Sequence, residues 1–161
     1  MQQVEKTPRH LSTPAQRDLG GLMALYEENY IRLRTLLPGL DGMPPRGVSR
    51  VDGCVDLHVE IRERSRYTTT LNLTCLFAQT DGVRREPDLT LRICHDARTA
   101  EVVDLTRRNA PLEADARHTL LRCWQRNRFL YKWLGYCLRR GHRFDPHQRP
   151  SPATTTELDA V

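Results

Sequence analysis

Two short stretches of this chain collect side chains that can do chemistry. The first is Ser65-Arg66-Tyr67-Thr68, with Glu63 just before it. Arg66 offers a planar fork of donors that matches phosphate or carboxylate, and the Tyr67 and Thr68 hydroxyls add neutral hydrogen-bonding groups. The second is Arg92-Ile93-Cys94-His95-Asp96. Adjacent His and Asp can ligate a metal in a phosphohydrolase, but that chemistry needs further His and Asp at suitable places. His10, His58, His118, His142 and His147 repeat no ligand spacing, and Cys54, Cys75, Cys94, Cys123 and Cys137 form no CxxC or CxxH pair. No metal and no cofactor are therefore expected. Ser65 near His95 is not a catalytic triad without a nucleophile elbow or an orienting acid. The chain also lacks a P-loop, a GxGxxG and any other Gly-rich phosphate cradle, which leaves a nucleotide-hydrolysing enzyme poorly supported.

A third collection lies near the end of the chain. Wound as a helix at ~100° per residue, Arg117, Arg128, Lys132 and Arg139 fall on one flank of an apolar face, with Arg122, Arg126 and Arg140 on the other. Phe129 and Tyr136 then lie away from the core. Cations beside exposed aromatics can bind phosphates and stack bases, whereas cations flanking an apolar face also snorkel over a core. The same surface could equally form a subunit interface.

These groups need elements to position them. Leu19, Leu22, Met23, Tyr26, Tyr30, Leu33 and Leu37 recur at helical spacing, which predicts a helix from Thr13, as cap, to Leu37. Residues 38–50 read as a loop. Val55, Leu57, Val59 and Ile61 alternate with polar residues, as do Thr69, Leu71, Leu73, Cys75 and Phe77, and then Leu89, Leu91 and Ile93. Residues 79–88 read as a loop with an Asp-Gly turn, and residues 99–105 as a fourth strand of ambiguous parity. A second long helix runs from Asp115 to Arg140, stopped by Gly141. The expected fold is α+β: an antiparallel meander of about four strands with both helices packed on one face.

Parity constrains the first hairpin. The apolar set is odd-numbered on both strands, so facing residues must have an even sum, and the loop around Ser65-Arg66-Tyr67 an odd length. That loop contains no Gly, Asn or Asp to supply a left-handed residue, so it is either bulged or kept for another purpose. In a meander this turn and the end of the third strand lie at the same end of the sheet. Glu63, Arg66, Tyr67, Thr68, Arg92, His95 and Asp96 are accordingly expected to form one ligand site, with no catalytic residue assigned; the alternative is a structural ion-pair network of Arg66 with Glu63 or Asp96.

Composition bounds the rest. The chain has 161 residues, 39% hydrophobic and 28% charged, enough for one core but not comfortably two. The expected organisation is a disordered tail at 1–12, a single domain over 13–144 and a disordered tail at 145–161. The net charge is +5, and Lys6 and Lys132 are the only lysines, so the basic character is arginine's. No apolar run reaches the ~18–20 residues of a membrane helix, and the start lacks the apolar core of a signal peptide. A cytoplasmic protein without a membrane partner is expected.

The stretches MALYEENYIRLRTLLP, ERSRYTTTLNL, LTLRICHDARTAEVV and RFLYKWLGYCLRRG together resemble the bacterial YqiB-like proteins, domain of unknown function 1249, over about residues 20–141. The SRYTT and HDAxxAEV stretches are the specific parts. The resemblance implies no established activity. Genes of that family often neighbour those of a Nudix ADP-ribose pyrophosphatase and a cyclic-AMP phosphodiesterase, which points to nucleotide metabolism or signalling. The expected function is a non-catalytic binding or regulatory domain for a partner protein or a small anionic ligand such as a nucleotide. An enzyme acting on a phosphorylated nucleotide through Glu63, His95 and Asp96 is the alternative, and a nucleic-acid-binding module using the last helix the second alternative.

Overall fold

The computed structural model describes residues 18–106 and 116–145. Helix α1 spans Leu19–Leu36 and is followed by a 3-10 turn at Leu40–Gly42. Five strands then form one antiparallel sheet in chain order: β1 Arg46–Ser49, β2 Leu57–Arg64, β3 Thr68–Gln79, β4 Gly82–Cys94 and β5 Thr99–Thr106. Helix α2, Ala116–Arg139, closes the fold. The α+β meander with both helices on one sheet face is as expected.

The core follows from strand parity. Leu57 and Val59 of β2, Leu71 and Leu73 of β3, and Leu89, Leu91 and Ile93 of β4 point to one face and are buried. Leu33 and Leu36 from α1, Leu37 just after it, and Leu130, Leu134 and Cys137 from α2 cover them. Trp124 instead joins Leu22 and Leu25 in a smaller cluster between the helices. The centre of the α2 face is polar. Asn127 is buried, and its Oδ1 accepts the Val102 N–H at 2.9 Å, while its carbonyl oxygen accepts from Asn29 Nδ2 at 3.1 Å. One amide side chain thus ties α2 to β5, and its backbone ties α2 to α1, while Asn127 Nδ2 donates to the Cys123 carbonyl at 2.9 Å.

Several expectations need correction. The N-terminal helix begins at Leu19, because Asp18 is extended and its side chain caps Gly21 N–H at 2.8 Å; the Thr13 cap lies outside the described residues. A fifth strand, β1, occupies the end of the segment read as a loop. Its residues facing the core are Gly47, opposite Val59, and Ser49, opposite Leu57, so its one apolar side chain, Val48, faces outward and no core alternation shows. A Cβ on Gly47 would sit 3.2 Å from Val59 and 3.3 Å from Phe144, so this strand packs by having no side chain there. Val55 lies before β2 and is exposed. Residues 79–88 are mostly strand: β3 and β4 continue past the core as a hairpin arm, paired through Gln79–Gly82. That arm is largely exposed, so nothing imposes an apolar alternation on it. Phe129 packs partly buried against the main core, whereas Tyr136 is exposed. The tails expected at 1–12 and 145–161, apart from Asp145, and the Asp115 helix start lie outside the described residues.

The end of α2 meets its expectation in detail. Gly141 has φ 93°, its N–H reaches the Leu138 carbonyl, and His142 N–H reaches the Cys137 carbonyl. This is the double bond of a Schellman motif, which an L-residue at the left-handed position would strain.

Candidate functional site

The β2–β3 turn and the end of β4 meet at one end of the sheet. His95 N–H donates to the Tyr67 carbonyl at 2.8 Å, and His95 Nε2 lies 2.8 Å from Thr69 Oγ1. His95 opens the β4–β5 turn, which closes through Arg98 at φ 54°. The β2–β3 turn closes through Ser65 N–H to the Thr68 carbonyl at 2.9 Å, with the two hydroxyls also paired.

A β-bulge decides which side chains face this corner. Facing residues have even sums up to Ile61–Leu71, and the register then shifts to Glu63–Thr70 and Arg64–Thr69. The extra residue, Arg62, reverses parity at the tip. Between the strand ends Arg64 and Thr68 the connection is Ser65-Arg66-Tyr67, three residues, and the bulge lies in β2 just before it. Glu63, which regular pairing would aim toward the helices, is turned to the opposite sheet face. Arg64 takes its place: its Nη2 donates to the Leu40 carbonyl at 3.2 Å and the Met43 carbonyl at 2.7 Å, fastening the loop after α1 onto the hairpin.

The result is an open cleft of about 330 Å³ lined by Tyr30, Arg34, Asp41, Arg64, Ser65, Arg66, Thr69 and His95. Helix α1 supplies Tyr30 and Arg34, one turn apart on the same face. The 3-10 turn supplies Asp41, whose carboxylate lies 3.5 Å from Arg34 Nη2. Arg34 Nη1 is buried with no hydrogen-bond partner among the described residues. The Arg66 guanidinium lies 5.2 Å from the centre of the Tyr67 ring, and among the described residues no ion pair joins it to Glu63 or Asp96.

Of the seven residues expected to converge, Arg66 and His95 line the cleft. Tyr67 contributes its carbonyl to His95 and leaves its ring exposed. Thr68 is engaged in closing the turn. Arg92 lies on the opposite sheet face, paired with Glu101 at 2.6 Å, and Glu63 shares that face. Asp96 is exposed in the β4–β5 turn, outside the lining. Tyr30, Arg34, Asp41, Arg64 and Thr69 were missed. Arg34 stands one helical turn beyond Tyr30, which was a legible signal; the exchange of Glu63 for Arg64 was not, because a bulge changes no residue type.

Burial pushes the Cys75 thiol up to about 11 and Cys137 up to about 12, which keeps both protonated and unreactive. Burial also lowers the pKa of His58 and His142. Among the described residues no three His, Cys, Asp or Glu side chains come together as a metal-holding group. No described helix is long and apolar enough to cross a membrane.

Comparison with known proteins gives the chain its kin. It is 33% identical over 135 residues to "Uncharacterized protein YqiB" of Escherichia coli K12, covering 77% of this chain and 91% of the relative. The same figures hold for the proteins of that name from E. coli O6:H1 and O157:H7. No solved structure matches it. The family model "Protein of unknown function (DUF1249)" matches residues 32–143, a span that holds the whole sheet, all of α2 and every cleft residue except Tyr30, and the chain belongs to that family.

Proposed function

We propose that this chain is a binding domain for a small anion, held in the cleft between α1, the β2–β3 turn and the start of the β4–β5 turn. The supporting observation is one of charge. Three arginines, Arg34, Arg64 and Arg66, line a cleft whose only lining carboxylate is Asp41. Like charges gathered at one place repel and cost stability unless a counter-charge balances them. Guanidinium groups stay protonated at any working pH, so the balance must come from an acidic partner. Hydroxyls of Tyr30, Ser65 and Thr69 surround them, which suits phosphate or carboxylate oxygens. The role is binding rather than catalysis: apart from Asp41, which faces Arg34, the lining groups are donors and fixed cations, with His95 already engaged by Thr69.

The test is a thermal-shift screen of phosphate- and carboxylate-bearing small molecules at constant ionic strength, on wild type and Arg66→Ala. Binders should raise the wild-type Tm in a concentration-dependent way and leave Arg66→Ala unmoved. A panel that moves neither protein, or both equally, removes the cleft as the site.

A further inference from the structure

Resting on the anion-binding reading above, we infer that the cleft takes a phosphate monoester, a doubly charged anion with an organic group attached, and that Asp41 is the built-in counter-ion which that ligand displaces from Arg34.

Three observations lead there. The first is the charge count: three guanidinium groups against one carboxylate leave two positive charges in excess. A phosphate monoester carries about −1.5 to −2 at neutral pH, whereas a carboxylate or a phosphodiester carries one charge. Asp41 moved off Arg34 stays tethered at the cleft by its 3-10 turn and still counts in that balance, so the doubly charged anion matches the excess and the singly charged ones leave the arginines under-compensated.

The second is the state of Arg34. Its Nη2 meets Asp41 only at 3.5 Å, and its Nη1 is buried without a partner among the described residues. A buried donor left unpaired is costly, and a long contact with a carboxylate that is itself 78% exposed is a weak remedy. A tetrahedral phosphate has oxygens enough to meet the accessible part of this guanidinium, whose side chain is 27% exposed, and a second one lining the cleft. Asp41 is free to leave, because it sits in a three-residue 3-10 turn whose anchor is Arg64 on the Leu40 and Met43 carbonyls rather than Asp41 itself.

The third is size. A volume of about 330 Å³ would hold on the order of ten waters at about 30 Å³ each, well beyond a phosphate group alone. Tyr30, which packs partly buried against the core, gives the remaining space an aromatic wall for an organic substituent.

Isothermal titration at pH 7.5 with phenyl phosphate, methyl phenyl phosphate, benzoate and inorganic phosphate tests this on the full chain. Phenyl phosphate should bind at least tenfold more tightly than each of the other three. Asp41→Asn should bind phenyl phosphate three- to tenfold more tightly than wild type, since the competing carboxylate is gone, and Arg34→Gln at least tenfold more weakly. Benzoate or the diester binding as well as phenyl phosphate overturns the charge selection while the anion cleft stands. Inorganic phosphate binding as well as phenyl phosphate overturns the ester. Unchanged or weaker binding of phenyl phosphate by Asp41→Asn overturns the role of Asp41. Absence of binding by all four probes to wild type and to Asp41→Asn overturns both this inference and the reading beneath it. Circular dichroism and Tm of each variant separate loss of binding from loss of fold.

Discussion

Arg32 of α1 lies flat across the ring of Tyr131 on α2, 3.6 Å from its centre, and its Nη1 donates to the Tyr131 carbonyl at 2.8 Å. One side chain thus clasps the two helices through a cation–π contact and a charge-assisted hydrogen bond. The clasp needs room. A Cβ on Gly135, one turn further along α2, would stand 2.2 Å from Arg32 Nη1. A side chain at 135 would therefore displace the Arg32 guanidinium, and glycine, unfavourable in mid-helix, leaves it room.

That relationship gives a prediction with a change of sign. In isolation Gly→Ala in a helix stabilises by about 1 kcal/mol. Gly135→Ala should instead destabilise by about 1–2 kcal/mol, because displacing Arg32 forfeits a partly desolvated cation–π contact and a hydrogen bond to a charged donor. In an Arg32→Ala background the same substitution should stabilise. Urea unfolding of the four proteins of this cycle checks it, and a Gly135→Ala effect of the same sign in both backgrounds removes the clasp.

The middle of the sheet was legible because water lies on one face and the helices on the other, so Leu71, Leu73, Leu89 and Leu91 alternate cleanly. Legibility failed wherever that asymmetry fails. In β5 the core residues are Ala100 and Val102, then Leu105: a bulge opposite Thr90 and Leu91 inserts exposed Val103 and explains the ambiguous parity. The bulge at Arg62 likewise exchanged Glu63 for Arg64 at the candidate site, and β1 faces the core with Gly47 and Ser49. Apolar character alone also misplaced Val55, which is 36% exposed.

Two truncations measure that difference. Leu73 is fully buried, and Leu73→Ala should cost about 2–5 kcal/mol through lost transfer energy and the cavity left behind. Val55→Ala should lie within about 0.5 kcal/mol of wild type, as surface changes do. Chemical denaturation of both gives the answer; a Val55 effect near that of Leu73 contradicts the placement of the β2 start.

Acid should loosen the chain end. His142 is buried, its Nδ1 lies 3.0 Å from Ser49 Oγ, and that oxygen also accepts Arg143 N–H at 3.1 Å. Burial lowers the His142 pKa below its ordinary value, and His58 is lowered for the same reason. The unfolded chain then binds more protons than the folded one below about pH 6.5, so their contribution is complete above that pH and is lost as pH falls through the folded values. Stability should fall between pH 7.5 and 5. His142→Gln should be less stable than wild type at pH 7.5 and show a shallower fall. An identical pH slope in the variant means that His142 does not carry its share.

Arg64 and Arg66 face the same cleft but should answer mutation differently. Arg64 holds two backbone carbonyls of the loop after α1, at 3.2 and 2.7 Å, so Arg64→Ala leaves both oxygens short of a charged donor. A cost of about 1–3 kcal/mol is expected, and Arg64→Lys should recover only part of it because a single ammonium lacks the guanidinium fork. Arg66 makes no ion pair among the described residues and rests near the exposed Tyr67 ring, so Arg66→Ala should stay within about 0.5 kcal/mol of wild type. Matched urea titrations of the three variants distinguish them. Equal losses for Arg64→Ala and Arg66→Ala would assign Arg66 to the scaffold and leave Arg34, on its long contact with Asp41, as the cleft's principal cation for a ligand, whereas the expected split leaves Arg66 free to meet one.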